Sequence, residues 1–169
     1  IMYSFPVNSI NSKDLDRIQN KSSQLFLPKL GYNRNTAKAI VYGPKKYGGI
    51  DLRILRHEQG LSKIEHLTKH WRNPETEAGK HVRIALHWIQ YCAGTGNPIL
   101  QDLKHPLRYV ESIWFANLRK FLIETQIKIQ VDDPGIFPHQ RMNDKYIMDV
   151  AVKIFGARKY VSRTAYYFI

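Results

Sequence analysis

Paired aspartates, spaced histidines, one cysteine and a glycine-rich basic loop are the features of this sequence that could do chemistry. Val131-Asp132-Asp133 sets two carboxylates after an apolar residue. They could hold divalent metals if a hairpin and a further strand aspartate brought two ions within a few ångströms. Pro134 and Gly135 follow at once, so DDPG reads as a surface turn. Asp51, the upstream aspartate, does not sit in a long apolar strand. His66 and His70 are four apart and share a helix face. A zinc protease would need Glu where this chain has Leu67, and no third ligand is evident, so the pair reads as a solvated basic face. Cys92 lies in an apolar helix face and reads as a buried structural thiol. YGPKKYGG, residues 42–49, lacks the Gly-Lys-Ser or Gly-Lys-Thr ending of a nucleotide-hydrolase phosphate loop. The residues make no catalytic constellation and no metal site.

What they do make is a surface for a polyanion. Between Leu27 and Gly60 the chain carries Lys29, Arg34, Lys38, Lys45, Lys46, Arg53 and Arg56 against a single acid before Glu58, namely Asp51. Tyr32, Tyr42 and Tyr47 are interleaved with them, and Gly48 and Gly49 stand together. Lysine and arginine supply salt-dependent attraction to phosphates, and glycines let backbone approach closely. The tyrosines suit either core packing or base and sugar contact, and the YGPKKYGG loop either phosphate contact or a plain surface turn. From Lys13 to Arg72 there are 13 basic and 5 acidic residues, so a net +8 of the chain's +12 lies in its first half. The partner surface is expected there. Nucleic acid, an anionic membrane or an acidic protein would all respond to such charge.

The elements that position these residues read as mostly α, a helical bundle-like domain with one or two short strands. At 169 residues, 43% hydrophobic, the chain can bury a core. We expect one domain over 1–155, followed at 156–169 by the start of a further, truncated segment. Asn11 and Asp14 open a helix to about Phe26, with Leu15, Ile18, Ser22 and Leu25 on one face and Pro28 as its stop. A short helix covers Thr36 to Val41, and GIDL after the loop is extended. Leu61, Ile64, Leu67 and Trp71 mark the next helix. Asn73 and Pro74 start another, with Val82, Ala85, Leu86, Ile89 and Cys92 on one face and Ile84, Trp88 and Tyr91 on a second. Trp71, Trp88 and Trp114 read as core residues. From Tyr109 a helical pattern runs through Leu122 with Arg108, Arg119 and Lys120 facing solvent. IKIQV alternates as a strand would, and Asn143 caps a last helix. One cysteine precludes an intrachain disulfide and fits a reducing compartment. No apolar run reaches membrane-spanning length, and no signal peptide is evident. Ile1 at the start and AYYFI at the close point to a segment of a longer protein.

Several blocks in series carry a family resemblance. LPKLGYNRNTAKAIVYGPKKYGGIDL, EQG, LTKHWRN, the pattern Trp114 to Leu122, and QRMNDKYIMD resemble the region after the catalytic palm in reverse transcriptases of non-LTR, LINE-type mobile elements. They are most like those of microbial eukaryotes such as diatoms. The resemblance covers about Tyr3 to Asp149, and the LPKLGYNR and GP-x3-YGGIDL blocks are its most specific pieces. It implies the helical thumb and connection of an RNA-directed DNA polymerase, which hold an RNA/DNA hybrid, or an RNA template with its DNA primer, as it leaves the active site. It implies intracellular work, in nucleus and cytoplasm, beside the upstream polymerase palm of the same chain. The catalytic residues and their Mg2+ would belong to that palm, because nothing here matches its motifs. The ten basic and tyrosine residues named above would then be the duplex contacts. The alternatives are a stand-alone basic helical domain docking an acidic protein partner or RNA, and a metal-dependent nuclease using Asp132 and Asp133.

Overall fold

Asn11 starts the first helix as its side chain predicts, accepting a hydrogen bond from the Lys13 amide (3.1 Å) at the head of α1, Ser12–Lys29. The structure, a computed structural model, describes residues 2–93, 97–104, 107, 110–131, 145, 150, 153 and 154. Pro28 does not end α1; it lies inside the last turn. The stop is Gly31, whose φ of 83° is in the left-handed region. Its amide donates to the Pro28 carbonyl (3.1 Å) and that of Tyr32 to the Leu27 carbonyl (2.9 Å), the paired bonds of a Schellman ending. Proline near a helix end removes a single donor, whereas the reversal itself needs a residue without a β-carbon.

The remaining helices are α2 (Lys38–Tyr42), α3 (Leu55–Trp71), α4 (Glu77–Ala93) and α5 (Ile113–Thr125), with single 3-10 turns at Met2–Ser4 and Lys45–Tyr47. The mostly helical architecture matches the sequence pattern. The short strands do not: among the described residues there is none. In 127–131 the Ile127 amide closes α5 on the Leu122 carbonyl (3.0 Å), and Ile129 reaches Leu100 (3.4 Å) without a ladder. Alternation of apolar residues makes a strand only where a partner edge is present.

The described residues divide into two compact units, one of 1–72 with 113–121 and one of 73–112 with 122–169. The expected boundary at 155/156 lies outside the described residues.

In the first unit α1 packs on α3, and Phe5, Leu15, Leu27, Val41, Leu67, Phe115, Leu118 and Phe121 are buried. The buried positions of α3 are Gln59, Gly60, Lys63 and Leu67, and Leu61 is exposed. The helix therefore begins before the Leu61 spacing and turns a largely polar stripe inward. Each member of that stripe has a reason to be there. Gly60 sits under the Phe121 ring, where a β-carbon would collide with the ring carbons. With its amide orientation assigned from the hydrogen-bond network, Gln59 donates to the Ile10 carbonyl (3.1 Å) and accepts from the Ile10 amide (2.9 Å). Lys63, 1% exposed, donates from Nζ to Ser9 Oγ (2.6 Å) and lies 5.6 Å from the Trp114 ring centroid. Burial lowers its pKa to about 8. Trp114 itself donates from Nε1 to the Pro6 carbonyl (2.7 Å). The segment from Phe5 to Ile10, a turn closed by the Val7 and Asn8 amides on the Ser4 carbonyl and then irregular chain, is thus held by side chains of α3 and α5.

Gln19, buried on α1, does the same for the approach to α3. Its Nε2 donates to the Arg53 carbonyl (3.0 Å) and its Oε1 accepts from the Leu55 amide (2.7 Å), one of the amides a helix start leaves without an intrahelical partner. A primary amide has a donor and an acceptor at the spacing of an extended backbone, so a buried glutamine can replace a missing strand neighbour. Leu25, expected on the packed face, is exposed.

In the second unit the α4 cap is Thr76 and not Asn73. Thr76 Oγ1 accepts from the Gly79 amide (3.1 Å), while its own amide (3.3 Å) and hydroxyl (2.8 Å) donate to the Asn73 carbonyl. Buried Gln90 repeats the glutamine device, donating to the Asn97 carbonyl (2.8 Å) and accepting from the Ile99 amide (3.1 Å), beside buried Leu86, Ile99 and Leu100. Ile84, Trp88 and Tyr91 form an exposed stripe, with the Trp88 and Tyr91 rings stacked at 5.7 Å, so Trp88 is not a core residue. On α5, Arg119 is buried and not solvated, whereas Lys120 is exposed. Arg108, Asp132, Asp133, the DDPG turn and Asn143 fall outside the described residues.

Candidate nucleic-acid interface

Every one of the ten basic and tyrosine residues belongs to the first unit, and the backbone groups them in three places. Lys29, Tyr32 and Arg34 surround the Gly31 reversal at the end of α1, all exposed. The chain continues through a turn in which Asn33 Oδ1 accepts from the Asn35 amide (2.8 Å) and its carbonyl accepts from the Thr36 hydroxyl (2.6 Å). This turn leads into α2.

Lys38, Tyr42, Lys45, Lys46 and Tyr47 lie on a closed loop. Five residues are too few for a helix to stand alone. α2 persists because the returning segment 50–52 satisfies its end: Ile50 donates to the Ile40 carbonyl (2.8 Å) and Leu52 to that of Val41 (3.0 Å). Asp51, with φ 59°, adds a bond to Gly43 (2.9 Å). The tip folds on itself, with Tyr47 (2.9 Å) and Gly49 (3.1 Å) both donating to the Pro44 carbonyl and Gly48, φ 81°, to that of Lys45 (3.0 Å). GIDL is not a continuous extended piece, because Asp51 at its centre is left-handed (φ 59°); it caps a helix and, among the described residues, joins no sheet. Lys45, Lys46 and Tyr47 all point outward; Tyr47 is 78% exposed, and the Lys46 ammonium lies 5.4 Å from its ring centroid. Tyr42 is half-buried at the root of the loop.

Arg53 and Arg56 flank the start of α3. Arg53 pairs with Glu58 (3.2 Å), which offsets its charge, and Arg56 is half-buried. The freest cations are therefore Lys29, Arg34, Lys38, Lys45 and Lys46 in exposure, with exposed Asp51 as the acid among them. Side chains that the residue pattern did not single out hold this surface in place. Gln19 fixes the backbone on either side of Ile54, and Gly43 makes room for Gly49, since a β-carbon on Gly49 would run into the Gly43 carbonyl. The legible signal for the second was two glycines six residues apart around a proline-initiated basic turn.

His66 and His70 meet edge to face at 4.5 Å, and His66 also faces Trp114 at 6.3 Å. Both histidines are half-buried, so they are not a fully solvated face. Burial first, then His70 and Lys69, hold the His66 pKa below its ordinary value. Cys92 is only half-buried; burial, with Glu111 second, raises its thiol pKa. Among the described residues no three His, Cys, Asp or Glu side chains gather to hold a metal ion, and no helix is long and apolar enough to cross a membrane. No family model, curated protein or solved structure matches this chain.

Proposed function

We propose that this chain is the template-primer grip of an RNA-directed DNA polymerase from a non-LTR mobile element, a thumb and connection that carries no catalytic residue itself. The observation that supports it best is the outward row of Lys45, Lys46 and Tyr47 on a loop whose own backbone bonds are internally satisfied, next to Lys29, Arg34 and Lys38. A grip must bind backbone and shape without reading sequence, because it advances one nucleotide at a time. Cations held on a preorganised loop do that: they lose little conformational freedom on binding and attract any phosphate row. Polymerisation and its Mg2+ would reside in an upstream palm, and the work would be intracellular, in nucleus and cytoplasm.

A second reading, a basic helical domain docking an acidic protein, draws on one observation: Leu25, Phe26 and Leu30 are exposed beside Lys29 at the end of α1. Fluorescence anisotropy of the chain against a labelled RNA/DNA hybrid and against an acidic peptide of equal charge separates the two. The grip requires hybrid binding that is steeply salt-dependent and indifferent to sequence. Tight peptide binding with no hybrid binding would reverse the assignment.

A further inference from the structure

We propose that the Lys45–Tyr47 turn binds an unpaired nucleotide, with Tyr47 stacking on its base and Lys45 and Lys46 holding the phosphates to either side. This rests on the nucleic-acid reading above and names the part of the substrate that the turn takes. Phe5 and Phe115 of this unit are fully buried, whereas Tyr3, Phe26, Tyr32 and Tyr47 are exposed; Tyr47, 78% exposed, stands between glycines and lysines with the Lys46 ammonium 5.4 Å from its ring centroid. The ring does not reach solvent because the loop is loose. The tip is tied at Pro44 and Lys45, its return segment caps α2, and Gly43 meets Gly49 with no space for a side chain. A ring presented on so fixed a base is preorganised, which lowers the ordering cost of binding.

The chemistry of that ring discriminates between paired and unpaired nucleic acid. In a duplex the base faces are hidden by stacking, and an exposed ring finds only sugar edges and phosphates, which the lysines alone could serve. An unpaired base offers a full π-face, and stacking on an aromatic side chain flanked by cations is how sequence-tolerant single-strand binding is built. The Lys46 ammonium lies over one face of the Tyr47 ring, 5.4 Å from its centroid, which leaves the opposite face to take the base and keeps a positive charge next to it.

The test uses the full chain and three labelled probes by anisotropy: a blunt RNA/DNA hybrid, the same hybrid with a short single-stranded overhang, and that overhang made abasic. We expect the base-bearing overhang to bind about tenfold more tightly than either other probe, Tyr47→Ala to abolish that difference between overhang and blunt hybrid, and Tyr47→Phe to keep it. Equal binding of abasic and base-bearing overhangs, or equal loss on all probes in Tyr47→Ala, would overturn the inference while leaving duplex grip standing. Overhang binding without blunt binding would support the inference and remove the grip reading. Failure to bind any probe would remove both. Unchanged thermal unfolding of Tyr47→Ala shows that the loss is local.

Discussion

Gly49 lies so close to the Gly43 carbonyl that a β-carbon at position 49 has no room, and this contact closes the basic loop. At neighbouring Gly48 the space is open, and only the backbone angle, φ 81°, favours glycine. The two glycines should therefore respond differently to alanine. Gly49→Ala must push two backbone segments apart and is expected to destabilise the first unit by more than about 2 kcal/mol. Gly48→Ala should lose about 1 kcal/mol, the penalty of a left-handed alanine. Urea unfolding measures both. Equal effects would mean that the loop does not close on the Gly43 carbonyl.

Lys63 predicts an unusual pH dependence. Its pKa is lowered from 10.5 to about 8 by burial. Between these values the unfolded chain holds a proton that the folded chain has released, so this group makes stability rise with pH through that window. Below about pH 8 the penalty of the buried charge is fully present, on the order of 3 kcal/mol. Lys63→Met keeps the volume and removes the charge. It is expected to be more stable than the parent at pH 7 by about 1–3 kcal/mol, with the difference shrinking towards pH 10.5. Comparing the two proteins at each pH cancels the tyrosines and surface lysines. A variant that is less stable at pH 7, with no trend, would show that the Ser9 hydrogen bond outweighs the buried charge.

The buried glutamines give a third test. Gln19→Leu keeps the bulk but leaves the Arg53 carbonyl and the Leu55 amide without their side-chain partner. The expected loss is about 1–3 kcal/mol, since two part-buried backbone groups lose their partners. Gln19→Glu can still accept from Leu55, but at neutral pH it buries a charge and sets a carboxylate oxygen against the Arg53 carbonyl, so it should cost at least as much as leucine. Identical stability of all three would make the Gln19 contacts incidental.

These same groups explain which parts of the fold were legible in the residue pattern. Helix starts and stops that depend on one local side chain read correctly where that chain had no competitor, as at Asn11, and misread where a better one stood nearby: Thr76 displaces Asn73, and Gly31 displaces Pro28. The face of α3 was not legible because hydrophobic spacing assumes that buried means apolar. Here Gln59, Gly60 and Lys63 turn inward, each with a partner supplied from far along the chain. Arg119 breaks the same assumption. The basic loop was legible as composition alone. Its closure depends on Gly43 meeting Gly49 and on residues 50–52 capping α2, contacts that no local pattern announces.

The charge on that loop makes the sharpest prediction about binding. Lys45, Lys46 and Arg34 are exposed, so neutralising them should leave stability within about 0.5 kcal/mol, as for surface changes generally. If they contact phosphates, each loss removes a released counterion, and the slope of log affinity against log salt for an RNA/DNA hybrid should flatten by roughly one for each of Lys45→Gln, Lys46→Gln and Arg34→Gln. The weakening should be the same for unrelated hybrid sequences, because phosphates carry no sequence information. Asp51→Asn should act in the opposite direction, removing the acid from the same loop while asparagine keeps the left-handed backbone that φ 59° requires. Hybrid binding at low salt is expected to tighten severalfold, and the gain should fade as the Debye length shortens at higher salt. A loss limited to one sequence would point to base reading. An unchanged slope in all three variants would put the phosphate contacts elsewhere in the protein.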